Sequence, residues 1–447
     1  MSPDFDACVV GAGPAGLAAA TRLAENRLNV VVLDEQPRPG GQYFRQVASA
    51  VAAEVGEHRP AGRALVVRAV AAGVRMRSST TVWGVADDGR TLLTWHPEYG
   101  IDLIAAPHII VATGATERAL PFPGWTSPRV TTVGYAQHLA TEGVPVGSRV
   151  LVAGSGPFLL SVACSLIDCG AQVAAVLEAG TPYRPDRAAA TMLKYPARLA
   201  EFVGYRSRLA RARVPIRSGR RIVSAVETAA GLAVVHGGRS GYETCDVDVL
   251  CIGYGFRAQV DLLRLLAAAT TIDPASGDEV VVTSPDGATD ADGVWAAGEV
   301  SGIAGAACAE AEGAIVAAGI LARHGIVLDV DAERATVARA RAFATAMGAR
   351  YPAARTLATR AAAQLSDDDI VCRCESITAG AIRSATDHSG NDLDAAKAAT
   401  RAGMGPCQGR ECGPALAALC GAASTTFTPR SPIRPIPLDA IAAGAPS

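Results

Sequence analysis

Four cysteines in the last quarter of the chain have the residue type and the spacing of iron ligands. Cys372 and Cys374 are separated by one residue, and after 32 further residues Cys407 and Cys412 are separated by four, in a glycine-rich stretch. Soft thiolates select iron-sulfur clusters or zinc. Structural zinc sites usually leave about two to four residues between paired cysteines, so Cys-x-Cys is too tight for that habit. The pattern predicts a [2Fe-2S] cluster on these four cysteines, with zinc as the alternative.

A glycine turn near the N-terminus has the pattern of a dinucleotide site. The sequence Gly11-Ala-Gly13-Pro-Ala-Gly16 stands between a short apolar run and an amphipathic run, as a turn between strand and helix does. Glycines there let backbone N–H groups reach a pyrophosphate at the helix N-terminus. An acid after the next strand-like run, 18 residues beyond Gly16, can accept hydrogen bonds from an adenosine ribose; this is Asp34, with Glu35 as the adjacent alternative. The candidate residues are Gly11, Gly13, Pro14, Ala15, Gly16, Asp34 and Glu35.

A second glycine turn, Gly154-Ser-Gly156-Pro-Phe-Leu159, follows another apolar run, and Glu178 ends the strand-like run after it. Gly154, Gly156 and Glu178 are the candidate ligands of a second nucleotide. Leu159 takes the place of the third glycine, and a side chain there would push the helix away from a pyrophosphate. Three interpretations stay open for this fold: NAD(P), another adenine nucleotide, or a vestigial site.

Three further segments have the sequence of a flavin site: Pro39-Gly40-Gly41-Gln42, Val111-Ala-Thr113-Gly114 and Ala297-Gly298-Glu299. They resemble the two-dinucleotide-binding flavoprotein family, which favours FAD over NAD in the first fold. The resemblance implies that Glu299, where the family usually has Asp, hydrogen-bonds the ribityl chain. It also implies that the helix after it points its N-terminus at the flavin. The residues that these segments add to the FAD site are Gly41, Gln42, Thr113, Gly114, Gly298, Glu299 and Ala306.

Two βαβ patterns predict an α/β protein with tandem Rossmann-like folds, the second inserted into the first. The cysteine region should form a small, mostly helical domain, and the prolines of the tail oppose a regular helix there. The predicted units are an FAD-binding domain in two parts (1–120 and 246–325), an inserted second nucleotide-binding domain (121–245), a helical linker (326–365), a [2Fe-2S] domain (366–421) and an extended tail (422–447).

Composition and charge exclude several classes of protein. The 447 residues are 49% hydrophobic with a net charge of -2, which indicates a globular protein and gives no electrostatic reason to expect nucleic acid. Apolar runs fall well short of the roughly 20 residues that span a bilayer. We therefore expect no transmembrane segment, at most peripheral membrane association, and a cytoplasmic location, since no signal-peptide pattern is seen. No catalytic acid–base residue can be nominated, because the seven histidines are dispersed.

The cysteine segment resembles the bacterioferritin-associated-ferredoxin-like (BFD-like) [2Fe-2S] domain, although the second pair there is often Cys-x-x-Cys. Over nearly its whole length the chain resembles the opine oxidase A-subunit family. The motifs that carry this likeness are the FAD segments, residues 113–118, 253–255 and 400–405 with the cysteines, and the proline-rich tail. That family is similar to the hydrogen cyanide synthase B-subunit and to the α subunits of heteromeric proline and hydroxyproline dehydrogenases.

The resemblance implies an FAD-dependent oxidoreductase that works as one component of a hetero-oligomer and acts on CH–NH groups. A separate flavin subunit would oxidise the amine, with FMN shared between the two chains, and a further partner would be a small ferredoxin-like subunit. This chain would relay the electrons through FAD and the [2Fe-2S] cluster to an acceptor. Two alternatives stay open: a self-sufficient NAD(P)H:acceptor flavin reductase, and a nucleotide-bound scaffold that senses redox state.

Overall fold

The computed structural model describes residues 5–45, 59–183, 192–239, 241–273 and 277–444, and its first fold is built on a five-stranded sheet. The strands are β1 (Ala7–Val10), β2 (Val30–Leu33), β3 (Arg75–Arg77), β7 (His108–Val111) and β20 (Val294–Ala296). All pair in parallel, in the order β20-β7-β1-β2-β3. β1 and β2 are apolar and wholly buried, as strands of a parallel sheet covered on both faces are.

Small residues let two helices lie in close contact on this sheet. α1 (Pro14–Glu25) follows the first glycine turn, and α7 (Ala306–Arg323) follows β20. A Cβ added at Gly313 would lie 2.1 Å from the carbonyl oxygen of Ala15, so the two helices could not approach as closely with a side chain there. A third helix, α2 (Arg59–Ala71), precedes β3.

A second sheet of five parallel strands is formed by residues between β7 and β20. Its strands are β9 (Val130–Thr132), β10 (Arg149–Gly154), β11 (Gln172–Glu178), β12 (Ile216–Ser218) and β16 (Val249–Gly253), in the order β12-β11-β10-β16-β9. The same fold contains the helices α3 (Val133–Thr141), α4 (Phe158–Asp168) and α5 (Pro196–Arg211). It also contains an antiparallel sheet of β13 (Arg221–Thr228), β14 (Gly231–Gly238) and β15 (Gly241–Val247).

One predicted boundary differs from the structure. The sequence placed residues 246–325 in the return to the first fold, beginning with a strand over residues 246–252. β16 instead lies inside the second sheet, where it pairs with β10 on one side and β9 on the other. Without it, the backbone of β10 would lack hydrogen-bond partners on that side. The return to the first fold therefore begins after Gly253.

Two short strands connect the folds. β8 (Ala115–Glu117) leaves the first fold and β17 (Phe256–Ala258) returns to it, and the two pair antiparallel. Arg118 forms an ion pair with Asp278 and donates a hydrogen bond to the carbonyl oxygen of Tyr254 at 2.8 Å. The side chains of the pair are 5% and 7% exposed, so the connection is fixed by a desolvated charge pair.

The first fold carries small additions of strand and helix. A three-stranded antiparallel sheet precedes β7, and a two-stranded sheet with a short helix precedes β20. These elements are β4 (Thr81–Val85), β5 (Leu92–His96), β6 (Gly100–Ile104), α6 (Asp261–Leu265), β18 (Thr270–Ile272) and β19 (Glu279–Val281).

The C-terminal part is mostly helical, as the sequence predicts. It contains α8 (Asp331–Gly348), α9 (Ala354–Ala362), β21 (Ile370–Cys372), β22 (Ile377–Thr378), α10 (Ala379–Ser389), α11 (Leu393–Thr400), α12 (Gly413–Cys420) and α13 (Leu438–Ala443). The expectation of a tail without helix is wrong at its end, because α13 begins directly after Pro437, the last proline of the described tail. Across the described residues, every helix is too short or too polar to cross a bilayer.

We expect Asp278→Ala to destabilise the protein by about 3–5 kcal/mol, because the buried guanidinium of Arg118 loses its counter-charge. Urea unfolding followed by circular dichroism would measure this loss. The matched control is Asp292→Ala, which breaks the ion pair with Arg90 whose side chains are 88% and 54% exposed. That change should cost less than about 1 kcal/mol. Equal losses in the two variants would contradict a special role for the buried pair.

Candidate cofactor-binding site

One large cavity connects the two nucleotide folds and the cysteine segment. Its volume is about 1870 Å³, well above the roughly 300–1,000 Å³ of a pocket for one drug-sized ligand. Its wall includes Gly13 of the first turn, Gly156 of the second turn and Cys407 of the predicted cluster. Both predicted nucleotide sites and one edge of the predicted cluster therefore face a continuous space.

The first glycine turn has the geometry that a pyrophosphate needs. α1 begins at Pro14, and Gly13, Pro14 and Ala15 line the cavity. A Cβ added at Gly16 would lie 1.9 Å from the carbonyl oxygen of Gly11, so only glycine lets the helix start this close to its strand. The first N–H groups of a helix have no helical acceptors and favour an anion. The residues of this turn fit a dinucleotide.

The two candidate ribose acids differ in their surroundings. Both oxygens of Asp34 accept backbone hydrogen bonds, from Ala12 N at 2.5 Å and from Gln36 N at 2.7 Å. Burial raises the pKa of the Asp34 carboxyl. Both acids line the cavity, but Asp34 is buried and the Glu35 side chain is 47% exposed. The Asp34 carboxyl therefore holds the turn, and Glu35 has the more accessible carboxyl for a ribose.

The segments expected at the flavin also reach this cavity. Burial raises the pKa of Glu299, which accepts a hydrogen bond from the backbone N–H of Gly305. α7 begins at the next residue, so this carboxyl and a helix N-terminus share one wall. The predicted flavin residues that line the cavity are Gly41, Gln42, Thr113, Gly114, Gly298, Glu299 and Ala306.

Two residues outside the motifs hold this wall in place. Glu312 on α7 accepts a hydrogen bond from Gly298 N at 2.9 Å. Arg341 on α8 donates to Glu312 Oε1 at 2.6 Å and to the carbonyl oxygen of Ser301 at 2.9 Å, and it also lines the cavity. Sequence reasoning missed both, because no motif includes Glu312 or Arg341 and the segment of Arg341 was interpreted as a linker.

The second glycine turn differs from the first at its third glycine position. Leu159 stands in the place of Gly16 and is packed in the core, 2% exposed. α4 begins at Phe158, which is one position later in its turn than Pro14 is in the first. Pro157, the counterpart of Pro14, already has helical backbone angles (φ -65°, ψ -22°), so the two turns differ in the Leu159 side chain and not in where the helical backbone begins.

Glu178 is the counterpart of Asp34 and not of Glu35. In both folds the residue before this acid pairs with the residue before the glycine turn. The residue that corresponds to Glu35 is then Ala179, which has no carboxylate to bind a ribose. Spacing alone does not reveal this difference, because adjacent acids satisfy it equally well.

Groups of the second glycine turn and of the residues after β11 donate hydrogen bonds to the Glu178 carboxyl. It is fully buried and accepts hydrogen bonds from Ser155 Oγ at 2.9 Å, Gly156 N at 2.9 Å and Gly180 N at 2.8 Å. Burial raises its pKa to about 7. The ring of Pro352 lies against Gly180, since a Cβ added there would be 2.7 Å from Pro352 Cδ. The second fold thus retains the shape of a nucleotide turn without a free acid at its end.

The four predicted cluster ligands lie together. The Cys412 thiol hydrogen-bonds to Cys372 and to Cys407, and Cys374 hydrogen-bonds to Cys407. The bonds from Cys412 lower the pKa of Cys372 to about 6 and that of Cys407 to about 5. Cys407 lines the cavity, whereas Cys374 is exposed at the surface.

The loop around the cysteines leaves little room for larger residues. A Cβ added at Gly405 would lie 2.2 Å from Cys374 Cβ. The backbone N–H groups of Gly403 and Gly409 donate to Cys372 and Cys407, as backbone amides around iron-sulfur ligands do. Among the described residues no group of three or more His, Cys, Asp or Glu side chains is arranged to hold a single metal ion. In a [2Fe-2S] cluster each of the two irons binds only one pair of protein ligands. The residues present fit such a cluster.

In comparisons with known proteins, two families match separate parts of the chain. Residues 5–313 match the family described as pyridine nucleotide-disulphide oxidoreductase. Residues 370–420 match the BFD-like [2Fe-2S] binding domain, which includes all four cysteines of the group.

Individual relatives match over nearly the full length. The opine oxidase A-subunit of Rhizobium meliloti (strain 1021) is 35% identical, covering 98% of this chain and 98% of that protein. Hydrogen cyanide synthase subunit HcnB of Pseudomonas aeruginosa is 31% identical, covering 97% of each. A crystal structure of L-proline dehydrogenase from P. horikoshii has a TM-score of 0.67 at 19% identity, covering 98% of this chain and 79% of that chain. This last likeness shows the fold.

Gly405→Ala should lower the iron content of the purified protein and its visible cluster absorption, because the added methyl group collides with Cys374. Iron, zinc and acid-labile sulfide would be measured per chain. Gly204→Ala is the matched control, since a Cβ there meets nothing within 4 Å. Unchanged iron in Gly405→Ala would show that the loop does not enclose the cluster as described.

Proposed function

Because the chain belongs to the opine oxidase A-subunit family within the pyridine nucleotide-disulphide oxidoreductases, we propose that it relays electrons in a heteromeric amine or amino-acid dehydrogenase or oxidase. It is an FAD-dependent oxidoreductase with a BFD-like [2Fe-2S] domain. The relatives are named as subunits of an opine oxidase and of a hydrogen cyanide synthase, which supports a hetero-oligomer. The proposed substrates are opines, proline or hydroxyproline.

One observation carries this proposal: Cys407 lines the same cavity as Thr113 and Gly298 of the flavin segments. Electron transfer weakens steeply with distance, so a cluster ligand on the wall of a flavin cavity suits a relay. Bound in the first fold, FAD supplies two-electron uptake and single-electron release, which links an amine donor to a one-electron cluster.

The chain's own residues would hold and tune the flavin. The N-terminus of α1 and Glu35 bind the pyrophosphate and ribose side. At the other end, the N-terminus of α7 favours negative charge on the flavin ring. Glu299, Glu312 and Arg341 fix the wall between these points, as their hydrogen bonds to backbone atoms indicate.

Substrate oxidation is assigned in this proposal to a separate flavin subunit, with FMN shared at the junction and a small ferredoxin-like protein as a further partner. The support is the family, whose named members are subunits and not complete oxidases. We propose the cytoplasm as the location of the complex.

The second nucleotide fold argues against the alternative of a self-sufficient NAD(P)H reductase. Leu159 takes the place of the third glycine, and Ala179 supplies no acid for the ribose of NAD. The rings of Tyr183 and Phe202 line this end of the cavity with the Arg206 guanidinium over them, 5.5 and 5.8 Å from the ring centroids. A stacking surface beside a cation suits an adenine ring, which NAD(P) and other adenine nucleotides share.

The experiment is anaerobic absorption and low-temperature EPR spectroscopy of the chain and of its complex with the flavin subunit that co-purifies with it. L-proline, hydroxyproline and an opine are added in turn, and NADH and NADPH are tested separately. We expect an amine to bleach the flavin of the complex and to produce a reduced-cluster EPR signal. Neither nicotinamide should bleach the isolated chain. Cys407→Ser should retain flavin bleaching by the amine and lose the cluster signal.

Bleaching of the isolated chain by NADH or NADPH would instead favour the reductase. A cluster that no donor reduces would favour the redox-sensing scaffold, and zinc in place of iron would contradict the cluster assignment. Nucleotides released by acid and identified by mass spectrometry would distinguish an adenine nucleotide from NAD(P) in the second fold.

A further inference from the structure

We propose that the C-terminal strap, residues 425–437, closes over the first glycine turn and that Arg434 is a direct ligand of the FAD pyrophosphate. The proposal rests on FAD binding in the first fold and is independent of the electron relay. No nucleotide-binding motif includes Arg434, and the sequence predicts only an extended tail there. Its position here follows from contacts that span most of the chain.

The strap is held against the first fold along β4. The backbone N–H of Ile433 donates to the carbonyl oxygen of Trp83 at 2.7 Å, and the Ile433 side chain is 8% exposed in the core of this fold. Ser431 lies directly on Gly84, where an added Cβ would be 2.6 Å from Ser431 Oγ. The strap is therefore a packed element of the FAD-binding fold.

Arg434 joins two points on opposite sides of the glycine turn. Its Nε donates to Glu35 Oε2 at 3.2 Å, and its Nη2 donates to Gln259 Oε1 at 2.5 Å. Gln259 is itself bound to Thr113, with Thr113 Oγ1 donating to the Gln259 carbonyl oxygen at 2.9 Å and Gln259 Nε2 donating to the Thr113 carbonyl oxygen at 3.2 Å. One guanidinium thus connects the residue pair after β2 with the segment after β7.

The sheet order places the phosphate turn between these two points. β1 lies between β2 and β7, so the turn after β1 is flanked by the residues after β2 and after β7. A side chain that bridges Glu35 and the Thr113 segment must pass across that turn. Arg434 lines the cavity together with Gly11 and Gly13, which agrees with this placement.

The chemistry of Arg434 suits a pyrophosphate. Its side chain is 19% exposed, and Nη1 has no hydrogen-bond partner among the residues that the structure describes. A guanidinium donates paired hydrogen bonds to phosphate oxygens, and it remains charged at any relevant pH. The N-terminus of α1 supplies N–H donors from the other side. The two phosphates would lie between a helix N-terminus below and a fixed guanidinium above.

The test compares Arg434→Gln with Arg430→Gln, an exposed arginine four residues earlier in the same strap. Full-length protein is stripped of flavin, and FAD rebinding is followed by quenching of flavin fluorescence. We expect Arg434→Gln to raise the Kd for FAD about tenfold to a hundredfold, the usual range for a hydrogen bond to a charged group. Arg430→Gln should match the unmodified protein, and Arg434→Lys should recover part of the loss.

Competition binding distinguishes a direct contact between Arg434 and the phosphates from a strap that only stabilises the fold. ADP and adenosine are each used to displace FAD from the unmodified protein and from Arg434→Gln. A pyrophosphate ligand predicts that the variant loses affinity for ADP and keeps its affinity for adenosine. An unchanged Kd for FAD, or equal losses for ADP and adenosine, would overturn the proposal. None of these measurements requires an electron donor, so their outcome is separate from that of the relay.

Discussion

The start of α1 against its own glycine turn is the contact on which the nucleotide site depends. At Gly16 the distance to the Gly11 carbonyl leaves no room for even one carbon atom, so the helix N-terminus and the turn form a single anion-binding surface. The second fold repeats the strand, turn and helix but places Leu159 at this point. The close contact between helix and turn that Gly16 allows in the first fold is therefore replaced by a leucine side chain in the second.

The cysteine domain and the tail after it form hydrogen bonds with both nucleotide folds. Trp125 Nε1 donates to the Ile370 carbonyl oxygen at 2.6 Å, and Arg264 donates to the Phe427 carbonyl oxygen at 2.7 Å. Arg410, which lies between two of the cysteines, donates to Asp261 at 2.7 Å and to the strap at Ile433 O at 3.0 Å. Directional polar contacts of this kind fix the position of one unit on another. The cluster loop and the wall of the cavity are consequently built together.

Local patterns predicted the parts of the fold that depend on neighbouring residues. The glycine turns, the apolar strands beside them and the four cysteines follow from spacing and periodicity, and the family matches agree with the architecture that they predicted. β16 was assigned to the wrong sheet because strand membership depends on hydrogen bonds to residues far away in sequence. Arg434 was missed for the same reason, since 399 positions separate it from Glu35.

Electrostatics explains why the acid after β2 could not be chosen from the sequence. Asp34 and Glu35 are adjacent and equally charged, but only one of them is used by the backbone of the turn. Glu178 is used by its turn in the same way, but its neighbour is alanine, so no second carboxyl remains in the second fold. The role of each carboxyl depends on its burial and its hydrogen-bond partners. The spacing of residues in the sequence reveals neither.

The cluster loop has unlike faces, with Cys407 toward the interior and Cys374 toward the solvent. In the proposed relay this asymmetry would give electron transfer a direction, because Cys407 faces the flavin cavity and Cys374 faces any protein that approaches from solvent. An acceptor protein has no need to enter the cavity, and dioxygen or peroxide in solution meets the outer sulfur first. Under the proposed relay, Cys374 would be the cluster ligand that an oxidant or an external acceptor meets first.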